Sequence, residues 1–315
     1  MTTIWIDGAL GPLDAARPSA VAHTLHYGVG VFEGVRAYAR EQGADGEGAV
    51  FRLDDHLLRL DRSARVCSIA LPFTQAELKA ACLEVLAAND FTEAYLRPVA
   101  WQDDGTLSGL GSDPPVHVAI IPSAWGAYLG DEALAKGIRC KLSAFRRGGH
   151  GSFFARAKIN GQYVASVLAK REALRAGYDE ALMCDDAGFV CEGTGENMFL
   201  VRDGVLITPP EDASILPGIT RDTVLTLARD AQEQLALREV REQRVTRDLL
   251  LTADEVFLTG TAAEVTPVRE IDGITIGAGA RGPVTAVLQS MFFDVVRGRR
   301  AMHDGWLTPL SPAPQ

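Results

Sequence analysis

The sequence predicts an α/β protein of two domains, and three observations carry that expectation. The chain has 315 residues, enough for two cores. Short strand-like runs alternate along it with stretches of helical apolar periodicity. An aromatic, glycine-spaced stretch, Ala124-Trp125-Gly126-Ala127-Tyr128-Leu129-Gly130, separates the two series. We therefore expect a smaller N-terminal domain over 1–122, a connecting loop over 123–135 and a larger domain over 136–315.

The elements follow in order. Ile4-Trp5-Ile6-Asp7-Gly8 reads as a strand entering a turn, and the stretch from Leu25 to Arg36 interleaves Tyr27 and Phe32 with Gly28, Gly30 and Gly34. Those glycines fit either a close backbone approach to a ligand or a kinked core strand. Asp54 to Val66 is helical, with Leu57, Leu60 and Ala64 inward and Arg59 near the edge of that face. Thr74-Gln75-Ala76-Glu77 has the spacing of a capping box and opens a helix that buries Leu78, Cys82, Val85 and Leu86. Ala94 to Val99 alternates like a strand, so Tyr95 and Arg97 point to one face, and a polar loop over 103–115 returns the chain to the strand Val116 to Ile121.

In the second half, Lys158 opens a helix that runs through Val164, Val167, Leu168 and Ala169. Ala181 to Cys184 and Phe189 to Glu192 form a hairpin around Asp185-Asp186-Ala187-Gly188. Glu192-Gly193-Thr194-Gly195-Glu196-Asn197 is a polar, glycine-rich loop with two carboxylates, readable as a site or as a surface turn. Leu216-Pro217-Gly218-Ile219-Thr220-Arg221-Asp222 starts a helix whose free N–H groups suit a phosphate. Thr259-Gly260-Thr261-Ala262-Ala263-Glu264 ends a strand in a second small-residue loop. A last helix carries Val284, Val287, Leu288, Met291 and Phe292, followed by a solvated arginine cluster.

Composition narrows the partners. The net charge of -10 speaks against nucleic acid or an anionic membrane and in favour of a small metabolite. No run approaches the ~20 apolar residues of a membrane span, and the N-terminus has no signal-peptide pattern. Five scattered cysteines fit a reduced, cytoplasmic protein, and the six histidines show no metal-ligand spacing. Of 31 basic residues only Lys79, Lys136, Lys141, Lys158 and Lys170 are lysine. An amine can lose its proton and form an imine, whereas a guanidinium stays charged. Four of the five have solvated surroundings. Lys158 follows a loop of small residues and precedes an apolar stretch, where the amine is open to desolvation; a surface lysine fits the same spacing.

Taken together, His26-Tyr27-Gly28, Val31-Phe32-Glu33-Gly34, Arg59, Tyr95-Leu96-Arg97-Pro98, Trp125 to Gly130, Ala157-Lys158, Glu192 to Asn197, Leu216 to Asp222 and Thr259 to Glu264 carry a family resemblance. The chain resembles the class IV, or fold type IV, pyridoxal-phosphate aminotransferases, and among them the bacterial branched-chain group. The resemblance implies a smaller α/β domain, a larger barrel-like domain, pyridoxal 5'-phosphate as cofactor and a homodimer or larger assembly. It implies Lys158 as the Schiff-base lysine and proton carrier, Glu192 as partner of the pyridine nitrogen, Tyr163 on the phenolic oxygen, and Arg59, Ile219, Thr220 and Thr261 around the phosphate. Glu196 and Asn197 complete the cofactor set. Tyr27, Phe32, Tyr95, Arg97, Trp125, Tyr128, Thr261, Ala262 and Ala263 would line the substrate pocket.

The implied activity is reversible transamination between a branched-chain L-amino acid and 2-oxoglutarate. A D-amino acid or (R)-amine transaminase, an aminodeoxychorismate-lyase-like enzyme and a catalytically idle cofactor-binding protein are the alternatives. The segments 100–111 and 148–154 depart from the usual branched-chain pattern and leave the preferred amino acceptor open.

Overall fold

The computed structural model describes residues 2–40, 48–103, 105–107, 109–124, 131–149, 151, 154–300 and 305–310. The chain divides into two compact units: Met1–Gly126 with Ala157–Gln162 and Asp294–Gln315, and Ala127–Arg156 with Tyr163–Phe293. A division read from sequence order alone assigns 157–162 and 294–315 to the C-terminal part; by contacts they group with the N-terminal unit.

The first unit is built on β1 (Thr3–Ile6), β2 (Ala9–Pro12), β3 (Gly30–Phe32), β4 (Val35–Ala39), β5 (Gly48–Phe51), β6 (Ala94–Gln102), β7 (Val116–Ser123) and the C-terminal strand Leu307–Pro309. They form one antiparallel sheet in the order Leu307–Pro309, β5, β4, β6, β7, β1, β2, with β3 also on β6. Besides the short α1 (His23–Tyr27), the unit contains α2 (Leu53–Val66) and α3 (Gln75–Ala87). Leu57, Leu60 and Ala64 of α2 and Leu78, Cys82, Val85 and Leu86 of α3 pack with Val35, Val50, Leu96, Val118 and Ile120 of the sheet. Truncating any one of these leucines to alanine removes roughly 2–5 kcal/mol of stability. Helix α3 starts as its sequence dictates: Thr74 Oγ1 accepts from Glu77 N at 3.3 Å while Glu77 Oε2 accepts from Thr74 N at 2.7 Å.

The second unit contains β8 (Ile138–Arg146), β9 (Glu180–Cys184), β10 (Val190–Gly193), β11 (Asn197–Arg202), β12 (Val205–Thr208), β13 (Glu239–Glu242), β14 (Glu255–Gly260), β15 (Glu264–Ile271) and β16 (Ile274–Thr275). The pairings run β10, β9, β8, β15, β14, β11 and return to β10, which closes a barrel. The closing rung is Glu192 opposite Asn197, a pairing across the polar glycine-rich loop. Valine, leucine, methionine and isoleucine side chains make the apolar cluster of this unit, Met198, Leu200, Leu258 and Val268 among them. Helices α4 (Asp131–Lys136), α5 (Tyr163–Arg175), α6 (Ile219–Asp230), α7 (Arg247–Leu251) and α8 (Pro283–Val296) complete the element order.

Two expectations change here. Helix α5 begins at Tyr163, after a 3-10 turn over Asn160–Gln162, and it buries Ser166, Ala169 and Ala173 while Val164, Val167 and Leu168 stay exposed. Small residues let α5 lie close on Ala181 and Met183 of β9, which turns the bulkier side chains outward. Lys170 is also less solvated than its polar neighbours suggested: its Nζ lies 2.6 Å from Oε2 of the fully buried Glu180. All five cysteines are free thiols, four of them buried. No helix among the described residues is long and apolar enough to cross a membrane.

Candidate active site

In the first unit the segment carrying Lys158 is laid along β3. Phe32 N donates to Lys158 O at 3.2 Å, Val31 and Ile159 form an antiparallel bridge, and Gly161 N donates to Gly28 O at 3.0 Å. Lys158 N donates to Ser63 Oγ of α2 at 2.9 Å. This pairing explains why Lys158 does not open a helix: its carbonyl is spent on β3 instead of on a helical bond. The close passage requires glycine at position 28 and is tight at 161, where a Cβ would stand 3.2 Å from Gly28 O. Gly28 has φ 72°, and a Cβ there would stand 2.8 Å from Gly161 Cα.

The lysine amine is held over an aromatic ring. Lys158 Nζ lies 4.8 Å from the Phe32 ring centroid, and the guanidinium carbon of Arg97 lies 4.7 Å from the same centroid. Arg97 also stands 5.2 Å from the Tyr95 ring and donates through Nη2 to Tyr95 Oη at 2.8 Å. The alternation of β6 thus places Tyr95 and Arg97 on one face, as read from the sequence. Gly34 makes room for this arrangement, since a Cβ there would meet Tyr95 Oη at 2.1 Å. Phe32, Tyr95, Arg97 and Lys158 are therefore brought together: an amine and a guanidinium over one apolar ring, with a phenol bonded to the guanidinium. Cation–π contacts of this kind contribute about 0.5–2 kcal/mol each.

The Arg59 side chain, near the edge of the apolar face of α2, is only 12% exposed. Its Nε and Nη2 donate to the two oxygens of Glu33 at 2.6 and 2.9 Å, and His56 Nδ1 stands 2.7 Å from Glu33 Oε2. Glu33 and His56 are almost wholly buried. Burial alone raises a carboxyl, but the Arg59 charge and the bonds from Arg59 and His56 outweigh it and hold Glu33 well below the usual carboxylate range. For His56 burial wins over the attraction of Glu33, so the ring stays neutral and donates Nδ1–H to the carboxylate. The three residues lock α2 to the β3–β4 connection, and Arg59 thereby comes pre-oriented.

In the second unit Glu192 stands at the barrel's closing rung, buried and bonded through both oxygens. Its Oε1 is 2.7 Å from Arg147 Nη2, and its Oε2 accepts from Asn197 Nδ2 at 3.1 Å and Leu216 N at 3.0 Å. Asn197 Nδ2 also donates to Leu216 O at 2.9 Å, tying β11 to the segment before α6. That segment ends at Gly218, the N-cap of α6, which offers no side-chain cap to the first turn. A Cβ at Gly218 would lie 1.9 Å from Asn197 Oδ1, so the tight corner admits only glycine. Ile219 and Thr220 then stand in the first turn of a twelve-residue helix, where N–H groups and the helix dipole favour an anion.

Glu196 carries the other carboxylate of the loop. It is buried, accepts from Gly195 N at 3.0 Å, and is pushed up to about 8 by burial and by the charge of Glu180. Tyr163 is half-buried at the start of α5, and Thr261 and Ala262 are half-buried beside the buried Ala263 in the turn between β14 and β15. Glu264, which ends that turn, holds a φ of 55° while buried. Tyr27 is 46% exposed on α1, with its ring edge-on to His23 instead of in the group around Phe32. Trp125 and Tyr128 lie outside the described residues.

Sequence reasoning missed Glu33, His56, Ser63 and Arg147 as supports. Only Glu33 stands within a recognisable motif; the others sit in ordinary helical or loop contexts and are revealed by burial.

Residues 30–271 match the family described as Amino-transferase class IV. The branched-chain-amino-acid aminotransferase of Pseudomonas aeruginosa is 46% identical over 305 residues, covering 97% of this chain and 96% of that protein. The crystal structure of the branched-chain amino acid aminotransferase of Escherichia coli superposes with a TM-score of 0.90 at 42% identity, over 98% of this chain and 99% of that one. The branched-chain amino acid aminotransferase of Thermobaculum terrenum, solved in its PLP-form, superposes with a TM-score of 0.88 at 35% identity, over 99% of each chain. With a matched region spanning most of the chain and near full-length relatives, this chain belongs to the class IV aminotransferases of fold type IV, in their branched-chain amino acid aminotransferase family.

Proposed function

We infer that the protein catalyses reversible transamination between a branched-chain L-amino acid and 2-oxoglutarate, using pyridoxal 5'-phosphate. The observation that carries this reading is the single Phe32 ring shared by the Lys158 amine and the Arg97 guanidinium. An amine is what imine chemistry needs, and an apolar surface edged by a fixed cation suits both an aliphatic side chain and a γ-carboxylate.

The residues present fit the cofactor by their donor chemistry. The set comprises the Lys158 amine, a buried carboxylate at Glu192 and a helix start at Ile219 and Thr220 with a glycine cap. When bound, pyridoxal 5'-phosphate supplies an aldehyde for the amino group and a ring that takes up the electron pair left at Cα. Lys158 Nζ would hold the aldehyde carbon between turnovers and, once the substrate amino group has displaced it, would be free to accept the proton from substrate Cα and deliver it. Glu192 accepts the ring N–H and keeps that proton in place. The N–H groups of Ile219 and Thr220, with Thr261 and Arg59, bind the phosphate, and the Tyr163 hydroxyl bonds the phenolic oxygen. Arg97, fixed by Tyr95, would receive the γ-carboxylate, while the Phe32 ring would exclude water around an aliphatic chain. We infer a cytoplasmic homodimer, supported by the free thiols and by the family resemblance.

The test is a half-reaction screen that follows cofactor absorbance with L-leucine, L-isoleucine, L-valine, L-glutamate, D-alanine and a chiral amine. The first four are expected to convert the bound cofactor. Conversion by D-alanine or the amine alone overturns the reading. Borohydride reduction of the holoprotein is expected to label Lys158, and a label on any other lysine removes its assigned role.

A further inference from the structure

Arg147 belongs to none of the motifs that mark the cofactor set, yet it is one of the most enclosed cations of the second unit, 6% exposed. It follows β8 directly, and its own N–H donates to Cys184 O at 2.9 Å, which fixes its backbone against β9. Its Nε donates to Ser214 O at 3.3 Å, and its Nη2 meets Glu192 Oε1 at 2.7 Å. Ser214 is itself buried and holds φ 56°, a conformation that a residue with a Cβ adopts rarely and that here aims its carbonyl at the guanidinium. Glu192 is thus gripped from two directions, Oε1 by a guanidinium and Oε2 by Asn197 Nδ2 and Leu216 N. A buried ion pair is seldom a net source of stability, because desolvation offsets most of the attraction. Its value here is orientation and charge.

We propose that Arg147 is a positioning residue for the transamination, holding Glu192 as an oriented carboxylate so that the proton shared with the cofactor ring stays on the ring nitrogen. This rests on the reading that Glu192 meets that nitrogen. The physical argument is directional. A proton on Glu192 sits against the guanidinium, whereas a proton on the ring nitrogen sits farther from it, so the Arg147 charge drives the shared proton towards the ring. Without that charge a buried carboxylate tends to take up a proton itself. Substrate contacts assigned to the Phe32 ring and Arg97 do not involve Arg147, so the effect falls on kcat and leaves KM for the amino acid nearly unchanged.

The experiment uses holoenzyme loaded with cofactor labelled with nitrogen-15 in the ring, read by NMR beside steady-state kinetics, for R147M, R147K, E192Q and the double variant R147M/E192Q. The expected R147M signal moves towards the unprotonated value, with kcat down about 10–100-fold. R147K keeps the charge but not the fork and recovers part of both. R147M adds little in the E192Q background, because Arg147 acts through Glu192. A parallel urea titration of the cofactor-free proteins gives the Arg147–Glu192 coupling independently of turnover. If E192Q moves the nitrogen signal while R147M and R147K leave it in place, Arg147 is only structural and the proposal is overturned while the reading of Glu192 stands. If E192Q itself leaves the signal in place, the reading of Glu192 fails and the proposal falls with it.

Discussion

Glu196→Gln tests whether the barrel loop holds a proton at neutral pH. Glu196 titrates at about 8 in the folded protein against an ordinary value of 4.5, driven by burial first and by the nearby Glu180 charge second. The folded chain therefore keeps a proton between these pH values that the unfolded chain has released. Stability contributed by this group is complete below about 4.5, falls as pH rises through the window, and is lost above about 8. Each unit of such a shift corresponds to about 1.4 kcal/mol, so the whole shift has a ceiling of about 5 kcal/mol. The bond from Gly195 N and the Lys170 charge, 2.6 Å from Glu180, already hold the value down to about 8. Proton sharing between neighbouring carboxyls spreads the shift, leaving about 1–3 kcal/mol. Glutamine keeps the shape and has no proton to lose, so the variant should match the parent near pH 5 and exceed it near pH 8.5. Calorimetric melting of the cofactor-free proteins at several pH values should show a Tm advantage that grows to about 2–6 °C at the alkaline end. Parallel curves at every pH, or an advantage that shrinks as pH rises, would refute the reasoning.

Three further outcomes are expected. Arg97→Met should weaken the glutamate and 2-oxoglutarate half-reactions by about ten- to a hundred-fold while leaving the leucine half-reaction nearly unchanged in single-turnover measurements; equal losses for both donors would make Arg97 structural. Arg59→Met should destabilise the cofactor-free protein by about 3–5 kcal/mol in urea, because it leaves the buried Glu33 without its guanidinium, and adding Glu33→Gln should return part of that loss. Gly34→Ala should displace the Tyr95 hydroxyl from Arg97 at a cost of about 1–3 kcal/mol, and the cost should drop in a Tyr95→Phe background, as a double-mutant cycle in urea would show.

The legible parts of this protein are those fixed by local pattern. The inward faces of α2 and α3, the capping box at Thr74, the shared face of Tyr95 and Arg97 and the start of α6 all follow from spacings within one element. What was not legible depends on partners distant in the chain. Lys158 reads as a helix start because an apolar stretch follows it, but β3 claims its carbonyl, and the helix waits until Tyr163. Arg59 reads as an edge residue because nothing local shows that Glu33, 26 positions away, points at it from the interior. Helix α5 looks like a core helix by its valines and leucines, yet its alanines and Ser166 make the contact. The two carboxylates of the Glu192–Asn197 loop were visible as a pair; their opposite environments, one beside Arg147 and one beside Glu180, were not.

The pairing of the Lys158 segment with β3 has a consequence for how the molecule is made. Lys158 N reaches Ser63 Oγ across 95 positions of sequence, and the outermost strand of the first sheet, Leu307–Pro309, comes from the end of the chain. Most of that sheet emerges early in synthesis, but its edge beside β5 stays open until residues 307–309 have been made. The second unit, by contrast, has all its strands between Ile138 and Thr275 and can complete its barrel sooner. Assembly of the lysine-bearing segment onto β3 is a late, long-range closure, of the kind that slows folding. A nascent chain therefore holds its first sheet open until the strand Leu307–Pro309 arrives, and removal of residues 305–310 is expected to leave β5 exposed as an unpaired edge.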